Sequence, residues 1–70
     1  MLKNKLKQIR LKYAVKQGHD VPQTEFAEFL GVKLSQYNRY EMQKQQPEIE
    51  TAFRISRKLG CKVDDLFDYE

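Results

Sequence analysis

Seventy residues, 40% of them hydrophobic and 33% charged, make one domain with one modest core, too short for the deep pocket of a typical enzyme. No apolar run approaches the roughly 20 residues that span a bilayer, no signal peptide is visible, and one Cys with one His argues against a four-ligand zinc site. The net charge is +3, but residues 1–19 carry six Lys or Arg and no acid, whereas residues 64–70 carry four acids and no base. A basic half suits a phosphate backbone, and the acidic end is expected to face away from it. The plainer reading of the N-terminal run is a helix with a solvated lysine face. Cys61 has no second cysteine to pair with, which makes a reducing cytoplasm the expected compartment.

In chain order, Leu2, Leu6, Ile9 and Tyr13 step by four, three and four. That stripe predicts an amphipathic helix over about residues 3–15, with lysines and Arg10 on its other faces. Met1 to Lys3 could instead open as a short strand. Residues 15–21, VKQGHDV, lack periodicity and contain Gly18, so they read as a loop with His19 exposed in it. Asp20 followed three residues later by Gln23 matches a capping box, and Pro22 suits a first turn. A second helix is therefore expected from Val21 or Pro22.

Residues 23–41, QTEFAEFLGVKLSQYNRYE, organise the rest. Phe26, Ala27 and Leu30 mark the inner face of one helix, Gly31 a sharp turn, and Tyr37 with Tyr40 the inner face of a next helix over about residues 33–42. Phe29 falls outside the stripe, either covering the preceding loop or meeting a protein partner. Two helices joined by a short glycine-containing turn form the unit that presents a recognition helix to the major groove. Its outward residues Leu34, Ser35, Gln36, Asn38 and Arg39 match what base edges accept: guanidinium to guanine, amides to adenine, an aliphatic group to a thymine methyl. The outward set holds no acid before Glu41. The plainer alternative is an ordinary solvated face.

After the polar loop QKQQ and Pro47, a fourth helix is expected with Ile49, Ala52, Phe53, Ser56 and Leu59 facing inward, Ile55 beside them, and Gly60 as its stop. Cys61 reads as a small buried hydrophobe. A short fifth helix should run over residues 64–67, with Asp64 and Asp65 at its positive end. The closing FDYE alternates apolar and acidic residues, a strand pattern that needs a partner: residues 1–3 of its own chain or a second chain.

These residues together resemble the Cro and lambda-repressor type of helix-turn-helix protein, the XRE family. The resemblance covers residues 4–67 and rests on QTEFAEFLGV at 23–32, RYE at 39–41, Pro47 and IETAFRISRKLGCKVDDLF at 49–67. It implies an all-α, five-helix lambda-repressor-like domain over residues 1–70, with its helix-turn-helix unit at about 22–42 and room for short terminal β-strands. It further implies that Gln23 touches phosphate, that Leu34, Ser35 and Gln36 reach base edges with Arg39 one turn on, and that Lys44 contacts the backbone. Lys33 and Asn38 follow as phosphate or base contacts by position. The chain departs from the family at Lys33 and Lys62, where Ser or Thr is common as a helix cap. It departs again at Gln43, where Gly is usual, and in a longer loop between its first two helices.

The expected function is sequence-specific binding of double-stranded DNA by a transcriptional regulator, a repressor working as a homodimer on a palindromic operator. By the same resemblance, Met1, Leu2, Phe67 and Tyr69 are the candidate dimer contacts. A partner-binding, antitoxin-like module is the alternative, which an exposed Phe29 and Leu34 cluster would support. No catalytic grouping, cofactor motif, small-molecule site or membrane segment is expected, and few exposed aromatics are available to stack on RNA bases.

Overall fold

Periodicity at 3.6 residues survives as four α-helices, and the alternating ends survive as a sheet. The computed structural model describes residues 1–70. In order it holds β1 (Leu2–Asn4), α1 (Leu6–Gln17), α2 (Gln23–Leu30), α3 (Leu34–Glu41), α4 (Ile49–Leu59), a 3-10 turn (Val63–Leu66) and β2 (Phe67–Tyr69).

The core is Leu6, Val21, Phe26, Ala27, Leu30, Tyr37, Tyr40, Ala52, Ile55 and Leu66, one side or more from every helix. Phe26 and Tyr37 meet edge to face, their ring centroids 5.7 Å apart, which ties α2 to α3. Gly31 ends α2 at φ +77°, a left-handed conformation that an L side chain resists, and its N–H closes back on Ala27 and Glu28. That tight stop lets α3 begin only three residues later.

Several expectations change. The first helix starts at Leu6, because residues 2–4 are drawn into the sheet and Leu2 leaves the helical stripe, and it runs on through Val15, Lys16 and Gln17, which were expected in the loop, until Gly18 stops it at φ +77°. The second starts at Gln23. Pro22 takes the extended cap position without a side-chain hydrogen bond, so the Asp20 capping box does not form. The expected fifth helix is one 3-10 turn, closed by Asp65 N–H to the Lys62 carbonyl at 3.0 Å. Phe67 is already extended at φ −132°, which leaves too few residues for an α-helical ring. The Asp65 carboxylate accepts from the Lys62 N–H at 3.0 Å, so the missing Ser or Thr cap is half replaced.

On α4, Ala52, Ile55 and Ser56 are buried, but Ile49 is 76% and Phe53 51% exposed. The expected stripe is therefore rotated toward Ile55. Phe29 does not stand free: it stacks on Tyr13 of α1 with centroids 5.0 Å apart. Cys61 is half-buried, with burial and the nearby Asp65 pushing its thiol pKa up.

β1 and β2 pair antiparallel, Leu2 with Tyr69, Lys3 with Asp68 and Asn4 with Phe67. Lys3–Glu70 and Lys5–Asp68 ion pairs, each 3.3 Å, flank the ladder. Exposed pairs contribute little to stability. They do neutralise two of the six N-terminal bases.

Candidate nucleic-acid interface

Tyr37 and Tyr40 are fully buried, and they fix the rotation of α3 about its axis. Residues about half a turn away from them must face outward. Lys33, Leu34, Ser35 and Arg39 are exposed, Gln36 and Asn38 half-exposed, and Lys44 exposed in the loop beyond. Leu34, Ser35, Asn38, Arg39 and Lys44 line one shallow open depression together with Met42, which the sequence reading did not include. The Arg39 guanidinium makes no ion pair within the chain.

Glu41, the acid at the end of this helix, is turned the other way. Its side chain is 4% exposed, and its Oε2 accepts from Arg10 Nε at 2.8 Å. Arg10 Nη2 reaches Oε1 at 3.3 Å, which makes the pair bidentate. The Tyr37 hydroxyl also donates to Oε2, and Gln23 Nε2 donates to Oε1 at 2.8 Å. Burial pushes the Glu41 carboxyl up, but the hydrogen bonds from Arg10, Tyr37 and Gln23 outweigh it and hold the pKa below the usual value. Arg10 is held charged by the Glu41 hydrogen bond, and its Nη1 also caps the Val21 carbonyl at 3.0 Å. Burial, then the bond to Glu41, keeps the Tyr37 phenol protonated.

Gln23 belongs to this cluster as well as to the surface. Its Oε1 accepts from Asn38 Nδ2 at 2.9 Å, so its carboxamide bridges the start of α2 to the middle of α3. Of the eight site residues read from the sequence, Leu34, Ser35, Asn38, Arg39 and Lys44 share the depression; Gln36 is next to Ser35 on α3, and Lys33 is the N-cap just before it. Gln23 joins through Asn38. Sequence reasoning missed that Arg10 and Glu41 are the anchor beneath this face. The signal was faint: the only arginine of the first helix and the only acid of the third, 31 residues apart.

A short helix, a glycine turn and a second helix with an acid-free outer face define a helix-turn-helix unit. Residues 6–66 match the family described as helix-turn-helix. Over 69 residues the chain is 35% identical to an uncharacterised HTH-type transcriptional regulator of Methanocaldococcus jannaschii, covering 99% of this chain and 96% of that one. The chain belongs to the XRE type of helix-turn-helix DNA-binding protein. No helix is long and apolar enough to cross a membrane.

Proposed function

We propose that this protein is a cytoplasmic, sequence-specific transcriptional regulator, a repressor that binds a palindromic operator as a homodimer. The observation that carries the reading is the outer face of α3: its one acid is buried against Arg10, so the whole exposed surface is apolar, amide, hydroxyl or cationic. Arg39 is assigned to a guanine, Gln36 and Ser35 to base edges, and Leu34 to a thymine methyl. Lys33, Lys44, Gln23 and Asn38 are assigned to phosphate oxygens or adjacent bases. Neither α2 nor α3 has a side-chain cap, so the first-turn N–H groups of both stay available to phosphate. The M. jannaschii relative is itself named a transcriptional regulator.

An eight-residue helix is about 12 Å long and reads only a few base pairs. Useful specificity therefore calls for two copies, with half-sites about 34 Å apart. Met1, Leu2 and Tyr69 are exposed and Phe67 half-buried, as a dimer contact through the sheet requires, and Ile49 and Phe53 add uncovered apolar area. The partner-module reading asked for an exposed Phe29 beside Leu34, and Phe29 is instead packed on Tyr13.

Arg39→Ala tests the assignment. On the operator it should cost about 1–3 kcal/mol and relax specificity at one position. An equal loss on operator and random duplex would make Arg39 a phosphate contact instead.

A further inference from the structure

Gln43 is the one residue other than glycine with a positive φ, at +60°. Glycine takes that conformation without penalty, whereas a side chain there is a cost that something else must offset. The offset is visible in its carboxamide. Gln43 Oε1 accepts from the Asn4 backbone N–H at 3.1 Å, and Gln43 Nε2 donates to the Asn4 carbonyl at 2.9 Å. One side-chain amide thus pairs with both backbone groups of a strand residue, as a residue of a third strand would.

The direction of the β1 backbone makes this possible. The Lys5 N–H and the Met1 carbonyl turn toward the C-terminal side, bonding the Leu66 carbonyl at 2.7 Å and the Glu70 N–H at 2.8 Å. Asn4 lies between them in the alternation, so its N–H and C=O point to the outer edge, where Gln43 meets them. Gln46 extends the seam: its Nε2 donates to Gln43 Oε1 at 2.9 Å, and its Oε1 accepts from Asn4 Nδ2 at 2.9 Å. Asn4 is itself buried and donates from Nδ2 to the Tyr40 carbonyl at 2.7 Å, in the last turn of α3. Lys44 stands between the two glutamines, its N–H on the Arg39 carbonyl at 3.0 Å.

We propose that Gln43 is a positioning residue that clamps the loop after α3 to the outer edge of β1, so that the terminal sheet and the loop carrying Lys44 move as one unit. The consequence for DNA rests on the reading of Lys44 as a backbone contact; the clamp is a property of the free protein. If the turn alone shaped this loop, Gly at 43 would serve at least as well, since it removes the strain. The clamp predicts the opposite.

The test is amide hydrogen exchange on the free protein, comparing the natural chain with Gln43→Gly and Gln43→Glu. The second variant keeps the length and the acceptor oxygens but loses the donor to the Asn4 carbonyl, and it stands in if the first fails to fold. The Lys5 and Lys44 amides are the probes, because neither bonds Gln43 directly. Both should exchange roughly tenfold faster, the loss of about one net hydrogen bond, while Tyr37 and Ile55 in the core keep their rates. Unchanged Lys5 and Lys44 rates overturn the proposal, and so does an equal acceleration at all four positions. Salt dependence of DNA binding then separates the two readings. Gln43→Gly should lower the slope by about one, as Lys44→Ala does, and the double variant no further. A Lys44→Ala protein with the natural slope would refute the phosphate contact, while the exchange rates still decide the clamp.

Discussion

Glu41 illustrates how one buried charge can shape a surface it does not belong to. Facing outward, a carboxylate at the end of α3 would oppose phosphate; buried, it costs desolvation that only a complete set of donors repays. Arg10, Tyr37 and Gln23 supply that set. Glu41→Gln leaves the largely buried Arg10 without its counter-charge and should destabilise the fold by about 3–5 kcal/mol, read from denaturant unfolding. The pH dependence has a definite sign. Because the folded carboxyl has the lower pKa, its contribution is fully present above the ordinary carboxylate range, near pH 4.5, and is lost as pH falls through the folded value. The natural protein should therefore lose stability steeply on acidification, and Glu41→Gln should flatten that limb. An unchanged acid limb in the variant would show that other carboxylates govern it.

At the scale of elements, what local pattern determines was legible in the sequence, and what neighbours determine was not. Phe26, Leu30, Tyr37 and Tyr40 were assigned to the core by spacing alone, because α2 and α3 each bury one narrow stripe. On α4 the same spacing rule chose Ile49 and Phe53. A helix with apolar residues at 49, 52, 53, 55 and 59 supports two overlapping stripes, and only the position of α2 and the 3-10 turn selects the one through Ile55. The outward set on α3 was read correctly as a face, but Gln23 and Asn38 turned out to hydrogen-bond each other, a pairing across the turn that one-dimensional spacing cannot carry. Asn4 was invisible for the same reason: apart from the Leu6 N–H, which its Oδ1 accepts, its side-chain partners lie 36 to 42 residues away. The N-cap of α3 offers a prediction here. Lys33→Ser should add about 0.5–2 kcal/mol of stability by capping the first turn. It should at the same time weaken DNA binding and reduce its salt dependence, if Lys33 faces phosphate. Gain in stability with unchanged DNA affinity would remove Lys33 from the interface.

For the molecule as a whole, the bulk charge overstated the N-terminal contribution. Lys3 and Lys5 pair with the acidic tail and Arg10 with Glu41, so Lys7, Lys12 and Lys16 are the members of that run outside an ion pair. Arg39, with Lys33 and Lys44 on either side of α3, likewise stands outside any ion pair. Gln43 and Gln46 also close the outer edge of β1, so the outer edge of β2 is the one these side chains leave open. Ile49 and Phe53 are the uncovered apolar side chains that would add to a contact through the sheet. Replacing both Ile49 and Phe53 by Asp should leave thermal stability of the protomer within about 0.5 kcal/mol, as for other surface changes. Sedimentation should then report monomer for the variant and, if the proposed dimer forms, dimer for the natural chain; an unchanged dimer would place the contact elsewhere on the surface.

If α3 reads sequence, and two copies do so together, the bound DNA itself must carry the signature. Selection of bound duplexes from a random pool with purified protein, at two salt concentrations, tests it most directly. One palindromic motif should be enriched at both salts, with half-site centres about one helical turn apart. Binding without a motif, lost as salt rises, would contradict it and reduce the basic face to a general affinity for polyanions.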